Sequence, residues 1–253
     1  MPAHHMPIDP TFKHLKGVKE LPDVTLVVEK TGIPAHRQIL SVKSDYFMAM
    51  FSRDFIEAKS DKIILKETNL KSFKRVLEYI YTGHTDYFSG RARIYYPFDQ
   101  SDEVVRLNEI FDLLFCARYY LVDTLTSEMI SYIKRASFNP RLLLNYSLAY
   151  SIDELISYST YVNLQESYRF DTHIFDQMSP QSVEHCLKLH LRAPESEVFE
   201  ALISWMRRNP NYSFSFSELL NHIDLNLLKE GHLDMLAQAN FTFTNLNVLS
   251  SKQ

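Results

Sequence analysis

The chain has 253 residues, enough for one large domain or two of ordinary size. Hydrophobic and charged fractions of 45% and 23% are those of a globular protein and exclude a disordered chain as the default reading. A net charge of −4 gives no general pull toward nucleic acid or an anionic membrane, five glycines suit no phosphate-binding loop protein, and two cysteines cannot frame a disulfide scaffold.

The opening "MPAHHMPIDP" lacks the apolar core of a secretory signal, and no apolar run reaches the ~18–20 residues that span a bilayer. The chain reads as soluble and cytoplasmic, with the nucleus as a second compartment. "DVTLVVEKTGIPAHR" reads as strand, turn, short strand and helix start: Val24, Leu26 and Val28 alternate with Thr25, Val27 and Glu29, and Thr31-Gly32 is expected to supply the turn. Ser44 is an N-cap for a second short helix that projects Phe47, Met50 and Phe51. "KIIL" at Lys62–Leu65 is a third strand. Asn69 then caps a helix with Leu70, Phe73, Leu77 and Ile80 at helical spacing, stopped by Gly83.

Between His84 and Glu103 the pattern breaks into a polar, aromatic stretch too long for an ordinary connection, read as a functional insertion or a loop. Helical periodicity resumes at Val104–Tyr119 and Asp123–Arg135. Asn139-Pro140 opens another helix, with proline at its first position. Ser151-Ile152-Asp153-Glu154 fits a capping box. Ser179-Pro180 and Ala193-Pro194 start two more helices, the second with Val198, Phe199, Leu202, Ile203 and Met206 as one apolar stripe. A last helix is expected over roughly Ser217–Gln238. The order is mixed α+β to about residue 135 and all-α beyond it.

Chemistry is hard to find. His36, Arg37, Ser41, Ser44 and Asp45 include the residue types of a hydrolase triad, but no G-x-S-x-G elbow and no glycine-rich donor loop surround them. Cys186 and His190 stand four apart on a helix beside His185, with no further ligands at metal spacing. Arg91 and Arg93 interleave with Tyr95, Tyr96 and Phe98, thin support for nucleic-acid binding in an acidic chain. No enzyme, cofactor or metal is expected, and Cys116 and Cys186 read as buried thiols.

The stretch "DVTLVVEKTGIPAHRQILSVKSDYFMAMFSRDFIEAKSDKIIL" followed by "SFKRVLEYIYTGHTD" resembles a BTB/POZ domain. The shared features are Asp-Val at the first strand, His-Arg opening the first helix, Ser-x-x-Phe, and Tyr-Thr-Gly closing the third. "SLAYSIDELISYSTYV", "EVFEALISWM" and "ELLNHIDLNLLKEGHL" are similar to helices of the BACK domain of kelch-like proteins, and the whole is nearest in character to BTB–BACK proteins carrying discoidin-like rather than kelch modules. The resemblance implies an α+β BTB/POZ domain over 20–136, an all-α BACK domain over 137–240, and tails at 1–19 and 241–253.

It also implies a structural role for the His-Arg set. Asp23 and Arg37 would form a charged pocket beside the dimer seam, with His36 and with Phe12 and Leu15 of a short N-terminal segment. A buried carboxylate and guanidinium tolerate low dielectric only as a pair, and losing one costs on the order of 3–5 kcal/mol. The functional expectation is a homodimeric protein-interaction adaptor, a substrate adaptor of a cullin-3 ubiquitin ligase, with a non-ligase scaffold as the alternative. The hydrophobic-x-Glu motif by which such adaptors hold the cullin matches Phe55, Ile56 and Glu57, and Ile56 is expected to turn inward on an extended segment. No kelch repeat follows the BACK-like region up to Gln253, so the unknown substrate protein would be held by residues 1–253 themselves or by a recognition domain past Gln253.

Overall fold

The computed structural model describes residues 18, 20–52, 55–85, 100–166, 173–189, 193–229 and 231–232. The chain divides into two compact units between Ser137 and Phe138. Among the described residues no helix is long and apolar enough to cross a membrane.

The first unit is built on a three-stranded sheet of order β2-β1-β3, with β1 at Val24–Val28, β2 at Thr31–Ala35 and β3 at Lys62–Ile64. β1 pairs antiparallel with β2, Leu26 opposite Ile33, and parallel with β3, Leu26 opposite Ile63. One face carries Val24, Leu26, Val28, Ile33, Ala35 and Ile63, all buried, as period-two alternation requires. Pro34 is tolerated because β2 is an edge strand that can forgo one ladder donor.

Five helices complete the unit: α1 (Arg37–Lys43), α2 (Asp45–Met50), α3 (Leu70–Thr82), α4 (Gln100–Tyr119) and α5 (Asp123–Arg135). Their ends follow local chemistry. Ser44 Oγ accepts the Phe47 N–H and donates to the Tyr120 carbonyl at 2.5 Å, so one hydroxyl starts α2 and ties it to the end of α4. Asn69 caps α3 through the Ser72 N–H, and Gly83 ends it at φ 71°. Phe47 stacks on Tyr120 at the centre with Phe73 tilted against both, and the Tyr120 hydroxyl meets Thr68 Oγ1 at 2.5 Å. Burial pushes the Cys116 thiol up to about 12, which keeps it protonated and unreactive.

Two expectations are corrected in this unit. The hairpin turn is not Thr31-Gly32, which lie in β2, but Glu29-Lys30, at φ 47° and 71°. Two non-glycine residues accept that strained geometry because Glu29 Oε1 receives the Leu70 N–H at the start of α3 (3.1 Å). The region from His84 to Glu103 is not loop throughout, since α4 already begins at Gln100, with Asp102 and Glu103 in a first turn that favours acids. Residues 86–99 lie outside the described residues.

The second unit packs α6 (Pro140–Ala149), α7 (Asp153–Glu166), α8 (Pro180–Lys188), α9 (Glu195–Arg208) and α10 (Phe216–Leu220) around one core. Leu144, Phe175, Val183, Phe199, Leu202, Trp205 and Phe216 belong to it. Asn139 and Ser179 cap α6 and α8, each with proline at the next position. Ser151, expected to open α7, instead ends α6. It takes the left-handed conformation (φ 51°), donates to Leu148 O, and lets Ile152 donate to Ser147 O, the Schellman pattern that more often uses glycine. The helix expected over Ser217–Gln238 is also broken. It stops at Leu220, and Asp224 Oδ1 accepts the Asn226 N–H to start a separate 3-10 turn at Leu225–Leu227. Residues 233–253 lie outside the described residues.

Candidate docking site

α2 ends at Met50, and the chain then runs around a projecting turn before entering β3. Phe55 precedes a 3-10 turn at Ile56–Lys59. No residue of that turn is buried, Phe55 is 52% exposed and Ile56 is 84% exposed. The expected inward Ile56 is therefore wrong. Alternation of sides belongs to extended backbone, and a 3-10 turn fans its side chains outward instead. Phe55 and Ile56 both face solvent beside the Glu57 carboxylate, an apolar pair with an acid at its margin.

Asp23, His36 and Arg37 meet nearby, but not as the buried ion pair expected. The Asp23 side chain is 53% exposed, and its Oδ2 lies 3.9 Å from Arg37 Nη1. Its Oδ1 instead accepts the Arg37 backbone N–H at 2.9 Å, so Asp23 satisfies the first turn of α1 in place of His36, whose side chain makes no cap bond. The guanidinium is taken up by backbone carbonyls. Nη1 donates to Asp23 O, Nη2 donates to Ser60 O at 2.6 Å, and the group lies 5.4 Å from the Phe51 ring centre. The two charges form a loose ion pair, with the guanidinium held chiefly by carbonyls through Nη1 and Nη2 while its Nε is buried without a hydrogen-bond partner.

His36 itself is buried. Its Nε2 faces the Glu20 carbonyl at 3.1 Å, which can only accept, so Nε2 carries the proton. In the neutral ring Nδ1 then accepts from the Tyr81 hydroxyl, and that same oxygen accepts the His36 backbone N–H, both at 2.9 Å. Burial, with Asp23 adding to it and the His36 bond opposing it, pushes the Tyr81 phenol up to about 12. Every polar atom of the histidine is spoken for, an anchoring arrangement without a nucleophile.

The same domain carries an aromatic shelf that the sequence did not reveal. Tyr46 of α2 rests 5.7 Å from Tyr119 at the end of α4, and Tyr119 lies 6.5 Å from Phe115. Phe115 and Tyr119 are half exposed. Burial first, then neighbouring Tyr119 and the Glu57 charge, raise the Tyr46 phenol above its ordinary value. Phe115 and Tyr119 stand four apart on α4, and the Ser44–Tyr120 bond holds α2 at the end of that helix, where Tyr46 meets Tyr119. No local spacing announces that contact.

A family model described as the BTB/POZ domain matches residues 12–137, and one described as BTB And C-terminal Kelch (BACK) matches residues 143–238. The chain belongs to the BTB–BACK family. Its relatives include BTB/POZ domain-containing protein 9 of Drosophila melanogaster, 28% identical over 215 residues, covering 83% of this chain and 27% of that protein. Human Kelch-like protein 7 is 26% identical over 235 residues, covering 90% of this chain and 37% of the relative. The chain thus spans between about a quarter and two-fifths of the length of these relatives. Among solved structures, the BTB domain of zebrafish PATZ1 is 23% identical with a TM-score of 0.33, covering 46% of this chain and 77% of that one.

The first unit is accordingly the BTB domain and the second the BACK domain. Within the BTB domain Asp23, His36 and Arg37 come together, and Arg37 links them to the turn carrying Phe55, Ile56 and Glu57. Phe12 and Leu15 lie outside the described residues, as does His190 of the residues weighed as metal ligands. His185 hydrogen-bonds Thr160 Oγ1 at 3.0 Å, and among the described residues no group of three potential ligands converges.

Proposed function

We propose that this BTB–BACK chain is a homodimeric protein-interaction adaptor that docks a cullin-3 ubiquitin-ligase scaffold through the turn carrying Phe55, Ile56 and Glu57, acting in the cytoplasm with the nucleus as a second compartment. The observation that carries the reading is the exposure of Phe55 and Ile56 side by side on a turn whose next residue is an acid. Apolar side chains presented to water on a short turn contribute little to their own fold and suit a partner's pocket. The Tyr46–Tyr119–Phe115 shelf on the same domain supplies amphipathic rings of the kind that dominate interfaces. Exposed Leu21 and Val42, at 82% and 73%, support a second contact surface for the dimer.

Calorimetry with the purified N-terminal region of cullin-3 tests the docking. A central aromatic anchor contributes about 2 kcal/mol or more, so Phe55→Ala is expected to weaken binding roughly thirty-fold. Ile56→Ala should cost less than Phe55→Ala but more than Glu57→Ala, whose rim carboxylate acts mainly on association rate. All three variants should keep the wild-type melting temperature, because none of these side chains is buried. Wild-type protein that fails to bind at high micromolar concentration would remove the ligase reading and leave a non-ligase BTB–BACK scaffold.

A further inference from the structure

We propose that Arg37 is a positioning residue for the docking turn, one planar group that fixes where the turn begins and where it ends. The inference rests on the reading of Phe55, Ile56 and Glu57 as the docking element. The turn holds itself only loosely. Its internal backbone bonds, Phe55 N–H to Ser52 O at 3.3 Å, Ala58 N–H to Phe55 O at 3.2 Å and Ser60 N–H to Glu57 O at 3.2 Å, sit at the long end of the normal range. The Ser60 hydroxyl adds one bond to Ile56 O at 3.0 Å. Ile56 and Lys59 are exposed and Glu57 and Ala58 only partly buried, so side-chain packing fastens the turn weakly.

Arg37 supplies what is missing. Its guanidinium lies over the ring of Phe51, the residue that caps the C-terminal end of α2, and Nη2 reaches the carbonyl of Ser60, the first residue after the turn. Nη1 holds the carbonyl of Asp23 at the head of β1. The backbone of Arg37 is itself fixed by Asp23 Oδ1. Entry, exit and sheet are therefore referenced to one rigid fork with charge-assisted bonds. A turn ordered before its partner arrives avoids paying that ordering at association. The Asp23 carboxylate, 3.9 Å from Nη1 and half exposed, is a loose counter-ion beside these carbonyl bonds. What matters is the fork: a lysine would keep the charge but offers one ammonium, which cannot hold both carbonyls and cover the ring.

The test uses the full chain with Arg37→Lys and Arg37→Gln. Amide hydrogen exchange over residues 55–60, read without any partner, should speed up about ten-fold in both variants, while α8 in the BACK domain exchanges as in wild type. Affinity for the cullin-3 N-terminal region should fall about ten-fold in each. Added to Phe55→Ala, the same change should cost almost nothing more, because positioning a missing anchor is without effect. Unchanged exchange over 55–60, or full recovery of exchange and affinity in Arg37→Lys, overturns the proposal. So does global unfolding of Arg37→Lys by circular dichroism, which would make Arg37 a scaffold residue. If wild type does not bind cullin-3 yet exchange quickens as expected, the docking reading fails and the positioning role stands.

Discussion

At Asp23 two accounts of one residue differ by several kcal/mol. A carboxylate stranded in low dielectric after loss of its cation costs about 3–5 kcal/mol, but Asp23 is half exposed and its working bond is to the Arg37 N–H. That bond satisfies one orphan donor at the start of α1, as a capping side chain does, and removal of such a cap typically costs about 1 kcal/mol. Asp23→Ala is therefore expected to lower stability by about 1 kcal/mol in urea unfolding, and Asp23→Asn by less, since an amide oxygen still accepts. A loss of 3 kcal/mol or more would return the pair to the buried-charge account. Lys30 presents the opposite case. It sits at φ 71° with an exposed side chain, a geometry that glycine adopts without penalty in a two-residue hairpin turn. Lys30→Gly should raise stability by about 0.5–1 kcal/mol. Glu29→Ala should lower it, because the strained turn loses its hold on the Leu70 N–H.

Elements whose ends are set by their own residues were legible in the sequence. Ser44, Asn69 and Gly83, Asn139-Pro140 and Ser179-Pro180 each place a cap or a stop where the chain needs one, and each does so in the structure. Elements set by distant partners were not. The Glu29-Lys30 turn depends on α3 forty residues on, and Ser151 takes a left-handed C-terminal position that its side chain does not advertise. The same division runs through the docking site. Phe55-Ile56-Glu57 is contiguous and could be matched as a motif, whereas the Tyr46–Tyr119 contact joins residues 46 and 119 only after folding. Within α8, titration offers an element-scale prediction. Burial first, then the Lys188 charge, lower the His185 pKa below its ordinary value. A histidine held neutral by the fold takes its proton more readily when unfolded, so it destabilises the native state once pH falls below about 6.5. Glu184 beside it, held low chiefly by its bond to Lys188, adds a further loss only at pH below about 4.5. The BACK domain should therefore melt earlier at pH 5.5 than at pH 7.5, and His185→Gln should flatten that interval. An unchanged slope in the variant would assign the dependence elsewhere.

For the whole molecule the consequential quantity is how many docking turns it presents at once. A homodimer carries two Phe55 turns, and a two-fold contact uses the same patch on both copies. Leu21 and Val42 are the described apolar side chains with most to gain from such a contact in the BTB domain outside the turn itself, at 82% and 73% exposure. Their replacement together by aspartate buries charge against apolar surface in any interface that includes them. Leu21→Asp/Val42→Asp should therefore sediment as a monomer at tens of micromolar while wild type sediments as a dimer. Trp205, the single tryptophan, is fully buried in the BACK core and donates to Met178 O at 3.1 Å, so an unchanged emission spectrum certifies that this domain remains folded. Monomer formation should not alter the affinity of one turn for soluble cullin-3 fragment. On a densely immobilised cullin surface the dimer should dissociate roughly a hundred-fold more slowly than the monomer, because the second turn rebinds at high effective concentration. Equal dissociation from that surface, with the dimer intact in solution, would mean that the two turns do not face a common plane. A double variant that remains dimeric would place the two-fold contact on residues other than Leu21 and Val42.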